Sequence, residues 1–89
     1  MFLHGLRGDH HGLEPITAHL DDLRVVVPDL PGFGASPPLP TDAHDVAGYA
    51  AWAGELLDAV GGDPVLAGHS FGSIVAAATA AAARPRALV

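Results

Sequence analysis

The stretch that decides the fold is Val65-Leu66-Ala67-Gly68-His69-Ser70-Phe71-Gly72-Ser73-Ile74-Val75. It sets one serine between two glycines, straight after a short apolar run and straight before the alanine-rich run Ala76 to Ala83. Glycine inside a helix or strand costs roughly 0.5–1 kcal/mol relative to alanine, so a pair at this spacing is wasteful in either element. It makes sense where the backbone turns sharply and holds the serine in the open. Side chains flanking such a turn would collide with the neighbouring strand and helix, which explains Gly68 and Gly72. The G-x-S-x-G pattern, with a strand before it and a helix after it, therefore predicts a strained corner with Ser70 Oγ projecting above the sheet. The free amides and positive end of the following helix aim at the same spot. The N–H of Phe71 is the first candidate donor to an oxyanion formed there.

Outward from this corner, short apolar runs alternate with helical patterns. Phe2-Leu3, Val25-Val26-Val27, Val65-Leu66-Ala67 and the start of a fourth at Ala87-Leu88-Val89 have the length and composition of strands buried in a parallel sheet. Three helices are expected between them. One runs from Glu14 to Leu20, with Pro15 acceptable in its first turn. The second runs from Thr41, its expected cap, to Val60, with Val46, Tyr49, Ala50, Ala53, Leu56, Leu57 and Val60 on one face and Gly61-Gly62 as its stop. The third runs from about Phe71 to Ala83 and ends ahead of Arg84-Pro85, because proline disfavours helical geometry in its predecessor. Loops fill Gly5 to Leu13 and Asp29 to Pro40. Strand–helix–strand alternation with short connections means parallel pairing, so the class is α/β, with about four strands and three helices in a single domain over residues 1–89.

Composition narrows the function. The chain has 89 residues, four arginines with no lysine against ten Asp and Glu, and a formal charge of −6. No basic stripe is available for a phosphate backbone, so nucleic acid is not an expected partner. Cysteine is absent, which excludes disulfides, thiolate catalysis and Cys-type zinc sites. Met1-Phe2-Leu3-His4 is no signal peptide, and the longest apolar run, Ile74 to Ala83, is far short of the roughly 20 residues of a membrane span. The expected setting is the cytoplasm, away from a membrane.

One amide rarely suffices for an oxyanion. Phe2-Leu3-His4-Gly5-Leu6-Arg7-Gly8 reads as a strand followed by a glycine-bearing loop, and the N–H of Leu6 is the second candidate donor. With this loop, the turn Asp29-Leu30-Pro31-Gly32-Phe33-Gly34-Ala35-Ser36 and the corner from Gly68 to Gly72, three motifs stand in order, and the chain resembles the N-terminal part of the α/β-hydrolase family over nearly all its length. The resemblance implies a nucleophilic Ser70 activated by a histidine that a carboxylate orients. It also implies a small-molecule acyl or ester substrate, whether ester, lactone, thioester or carbon–carbon bond, cleaved through an acyl-enzyme without a cofactor. His4 and Gly5 would support the oxyanion loop, and Gly68, His69 and Gly72 the corner. Serine at position 70 argues against the dehalogenase and epoxide-hydrolase branches, which use aspartate there.

Two departures accompany the resemblance. Many members carry proline or another glycine where Arg7 sits. The family's triad follows the order Ser, acid, His, yet the nineteen positions after Ser70 contain no Asp, Glu or His. The expectation is an incomplete domain, cut at both ends, holding the nucleophile while its base and acid lie in a missing C-terminal part. The alternative of another class is a non-catalytic truncated or hydrolase-like binding module. His69 is no base in this reading, because neighbouring side chains at a sharp turn diverge. Asp9-His10-His11 invites a metal reading, but no second ligand cluster of recognisable spacing accompanies it, and a flexible polar loop is expected instead. Gly32-Phe33-Gly34 is no dinucleotide loop, since Pro37 stands where a third glycine belongs.

Overall fold

The computed structural model describes all residues from Met1 to Val89. Three short strands, β1 (Phe2–Leu3), β2 (Val65–Gly68) and β3 (Ala87–Leu88), form a parallel sheet in the order β1-β2-β3. Phe2 stands opposite Ala67, Leu3 opposite Gly68, Val65 opposite Ala87 and Leu66 opposite Leu88. The helices are α1 (Glu14–Thr17), α2 (Val46–Val60) and α3 (Phe71–Ala83), and none is long and apolar enough to cross a membrane. A parallel sheet with helices in its crossovers is the arrangement that the resemblance to part of an α/β-hydrolase implies.

The strand expected at Val25-Val26-Val27 is not one. Val25 to Val27 lie half-buried beside β1, and Phe2 N–H donates to the Val26 carbonyl at 2.9 Å. The return bond of a parallel bridge would come from the N–H of residue 28, and Pro28 has none. The long second helix also begins later than its pattern implies. Thr41–Ala43 form a separate 3-10 turn, the chain breaks at His44, and Asp45 caps α2 by accepting from Gly48 N at 2.7 Å. The cause is steric: a Cβ on Gly48 would strike the Ala43 carbonyl, so the capping turn folds back onto the helix through the one residue without a side chain. Gly61, at φ +71, ends α2 as its sequence implies. The expected loop before the first helix contains a 3-10 helix, His10–Leu13, capped by the Asp9 carboxylate, and it runs straight into a shortened α1.

The core is small. Leu3, Leu30, Tyr49, Ala53, Leu66, Val75 and Ala76 form its buried cluster, with Phe33, Leu39, Trp52 and Phe71 packed against it. Alanines along α2 and α3 let these helices approach closely on one side of the sheet, and Thr79 satisfies its buried hydroxyl by donating to the Val75 carbonyl at 2.7 Å. The Tyr49 hydroxyl donates to the Pro31 carbonyl at 2.9 Å, which pins the 29–36 turn against α2.

Candidate active site

Ser70 sits at φ 56°, ψ −125°, a conformation that residues with a Cβ rarely adopt. Strain of this kind costs about 1–3 kcal/mol and persists only where the surroundings fix it. Here they do. His69 N donates to the Leu3 carbonyl at 3.0 Å, Gly72 N to the His69 carbonyl at 3.0 Å, and Ser73 N and Oγ both to the Ser70 carbonyl, at 2.9 and 2.5 Å. The two glycines are sterically required. A Cβ on Gly68 would meet Gly72 backbone and stand 2.6 Å from Ser73 Cα, and one on Gly72 would meet the Leu3 and His4 carbonyls. The corner is thus wedged between β1 and the start of α3, and Ser70 itself remains exposed.

The loop after β1 lies directly over this serine. A Cβ on Gly5 would come within 3.1 Å of Ser70 Cβ and 3.5 Å of Oγ. Gly8 N closes the loop onto the Gly5 carbonyl at 3.1 Å, with Arg7 at φ 61° between them, a left-handed conformation taken by a residue with a long side chain. His4 is buried and holds the loop from below. Its Nε2 accepts from Leu30 N at 2.9 Å, which leaves Nδ1 to carry the proton donated to the Gly5 carbonyl at 2.7 Å. The Phe33 ring meets His4 edge-on at 5.9 Å.

Between loop and corner lies a cavity of about 270 Å³, lined by His4, Gly5, Leu6, Arg7, His69 and Ser70 among others. The N–H groups of Leu6 and Phe71 donate to no acceptor in the chain, and Ser70 Oγ has no hydrogen-bond partner. His69 lines the cavity without bonding the hydroxyl, and its ring is exposed.

The sequence model of the family described as alpha/beta hydrolase fold matches residues 1–88. The chain belongs to the α/β-hydrolase family. This family member is 33% identical over 76 residues to a pimeloyl-[acyl-carrier protein] methyl ester esterase of Shewanella sp. (strain MR-7), a match covering 85% of the chain and 26% of the relative. It therefore spans about a quarter of that relative's length.

One group of this α/β-hydrolase chain escapes a reading of its sequence. The Asp29 carboxylate accepts from His10 N and His10 Nδ1, each at 2.8 Å, and from Ala35 N at 3.0 Å, while the Ser36 hydroxyl donates to the Asp29 carbonyl at 2.6 Å. These donors, Ala35 N–H foremost and then His10, hold its carboxyl far below the usual carboxylate range. Gly34, at φ +51, is packed so closely on this carboxylate that no Cβ would fit. Asp29 thus joins the turn it begins to the loop that walls the cavity. Asp29 and His10 stand 19 residues apart, and no local pattern couples them.

Proposed function

We propose that the chain carries the nucleophile and oxyanion half of a serine hydrolase acting on a small-molecule carboxylic ester in the cytoplasm. The observation that carries this reading is Ser70 itself: an exposed hydroxyl on a strained corner, with Gly5 seated against it and two unpaired amides, Leu6 and Phe71, beside it. The relative named as a methyl ester esterase supports an ester as the substrate class.

In this reading Oγ attacks the substrate carbonyl carbon, the oxyanion takes hydrogen bonds from the N–H groups of Leu6 and Phe71, and the tetrahedral species expels the alcohol to leave an acyl group on Ser70. Water then releases the acid. Both steps need a general base to take the proton of the attacking hydroxyl or water. None bonds Ser70 Oγ, and the segment after it holds no His, Asp or Glu, so base and orienting carboxylate come from residues other than these 89. The same bare hydroxyl is what favours the second reading, a hydrolase-like module that binds without turnover.

A fluorophosphonate probe with peptide mapping separates the two. In a longer chain that includes a downstream carboxylate and histidine, the label is expected on Ser70, absent from Ser70→Ala, and formed faster than in residues 1–89 by about 10⁶-fold, the scale of losing a triad base. Label on another residue of that longer chain, or ester turnover unchanged by Ser70→Ala, would remove the enzymatic reading. Binding of an ester without any acylation would leave the module.

A further inference from the structure

The 3-10 helix and α1 bring together three side chains that the reaction does not use. His10, His11 and Glu14 each place one donor atom within 4.8 Å of the others, and the two imidazole rings lie 3.9 Å apart. His11 Nδ1 is 2.6 Å from Glu14 Oε1. Only the spacing of His10 and His11 is visible in sequence. Glu14 joins them because the 3-10 helix passes without a break into α1 and sets residues 11 and 14 on one face.

We propose that these three residues form a surface site for a divalent transition cation of borderline softness, with Zn²⁺ as its natural occupant. The donor set, two imidazoles and one carboxylate, is one that zinc takes readily, and a solvent molecule completes the tetrahedron. His10 is prepared for it. The buried Asp29 carboxylate holds its Nδ1 at 2.8 Å, fixes the ring, and leaves Nε2 as the free nitrogen, the arrangement by which a carboxylate orients a metal-bound histidine. Closing a tetrahedral shell requires donor separations of roughly 3.3 Å, given zinc–nitrogen bonds of about 2.0 Å. Contraction from the present spread falls to His11 and Glu14, whose side chains are exposed and free to rotate, while His10 stays where Asp29 holds it. Zn²⁺ then replaces the proton shared by His11 Nδ1 and Glu14 Oε1, which is released to solvent as the two atoms bond the cation. The bound cation ties the 3-10 helix to α1, and since Asp9, Gly12 and Leu13 line the Ser70 cavity, it stiffens one wall of that cavity from outside.

Calorimetric titration of residues 1–89 with ZnCl₂ is expected to show one saturable site per chain. His11→Ala and Glu14→Gln, both solvent-facing and checked for folding by circular dichroism, each weaken it tenfold or more. In NMR spectra the imidazole signals of His10 and His11 shift on Zn²⁺ addition while those of His19 and His44 stay in place. Absence of a saturable site, an affinity in the two variants unchanged from that of the unsubstituted chain, movement of the His19 or His44 signals instead, or displacement of Zn²⁺ by excess Mg²⁺ overturns the assignment. None of these readouts depends on ester hydrolysis.

Discussion

At residue 70 the chain accepts strain in exchange for exposure, and the glycines around it show how tightly the surroundings hold that strain. Gly72→Ala drives a methyl group into the backbone of Leu3 and His4, neither of which can move without breaking β1 from β2. A loss of about 3 kcal/mol or more is expected in urea unfolding, because overpacking against backbone has no flexible side chain to absorb it. Gly54→Ala is the control: no atom lies within 4 Å of its added Cβ, and a gain of about 0.5–1 kcal/mol is expected in mid-helix. A loss of under 1 kcal/mol at Gly72 would refute the wedge. The corner was legible because everything that makes it is local in sequence: strand residue, glycine, serine, glycine, helix. Asp29 was not, because its partners come from 19 residues upstream and six downstream. Its folded pKa lies below the unfolded one, so its stabilisation is complete above the ordinary carboxylate value near 4 and is lost as pH falls through and below that value. Asp29→Asn keeps one acceptor and turns an amide NH₂ toward a donor, for an expected loss of about 1–3 kcal/mol at neutral pH. That gap narrows as the wild-type carboxylate protonates. A wild-type-minus-variant difference that stays constant from pH 7 to pH 3 would show that the carboxylate charge contributes nothing.

At the scale of elements, amphipathic spacing located α2 and α3 and gave the start of α3 at Phe71, but the expected start of α2 at Thr41 falls five residues ahead of the observed one at Val46. Thr41 and Asp45 are both good caps, four residues apart, each followed by residues with helix-forming ability. What decides between them is the contact of Gly48 with Ala43, a backbone approach that sequence does not display. The consequence is measurable. Asp45→Ala removes the bond to Gly48 N and is expected to cost about 1 kcal/mol, while Thr41→Ala, whose side chain caps nothing, changes stability by less than about 0.5 kcal/mol. The reverse ranking in thermal unfolding would place the helix start at 41. The valine run at 25–27 shows the opposite limit: its residues suit a strand, but a strand is a relation between segments, and Pro28 has no N–H to return the bond that Phe2 gives to Val26. The sequence around His10 and His11 implies a flexible loop for a similar reason. Their order comes from the Asp9 cap below and the Asp29 carboxylate across, and only the first is local.

For the whole molecule, the balance of buried and exposed apolar surface sets the behaviour in solution. Only 14 of 89 residues are buried, so a handful of side chains carry the core. Meanwhile Leu23, Ile74, Leu88 and Val89 are 61%, 55%, 47% and 77% exposed. β3 pairs with β2 on one side only, and its other edge presents unpaired backbone groups next to Leu88 and Val89. Apolar side chains beside a free strand edge favour pairing with another chain, and the charge of −6, spread over the surface, opposes it only weakly at ordinary ionic strength. Residues 1–89 are therefore expected to self-associate as concentration rises, seen as a concentration-dependent sedimentation coefficient. Leu88→Lys places a charge on the edge and is expected to shift the equilibrium toward monomer. Ile74→Glu, at an exposed position of α3 and outside any strand, shifts it less. A chain that sediments as monomer throughout the micromolar range would show that the edge is harmless. Equal effects of the two substitutions would show that association runs through apolar area in general, with strand pairing playing no part.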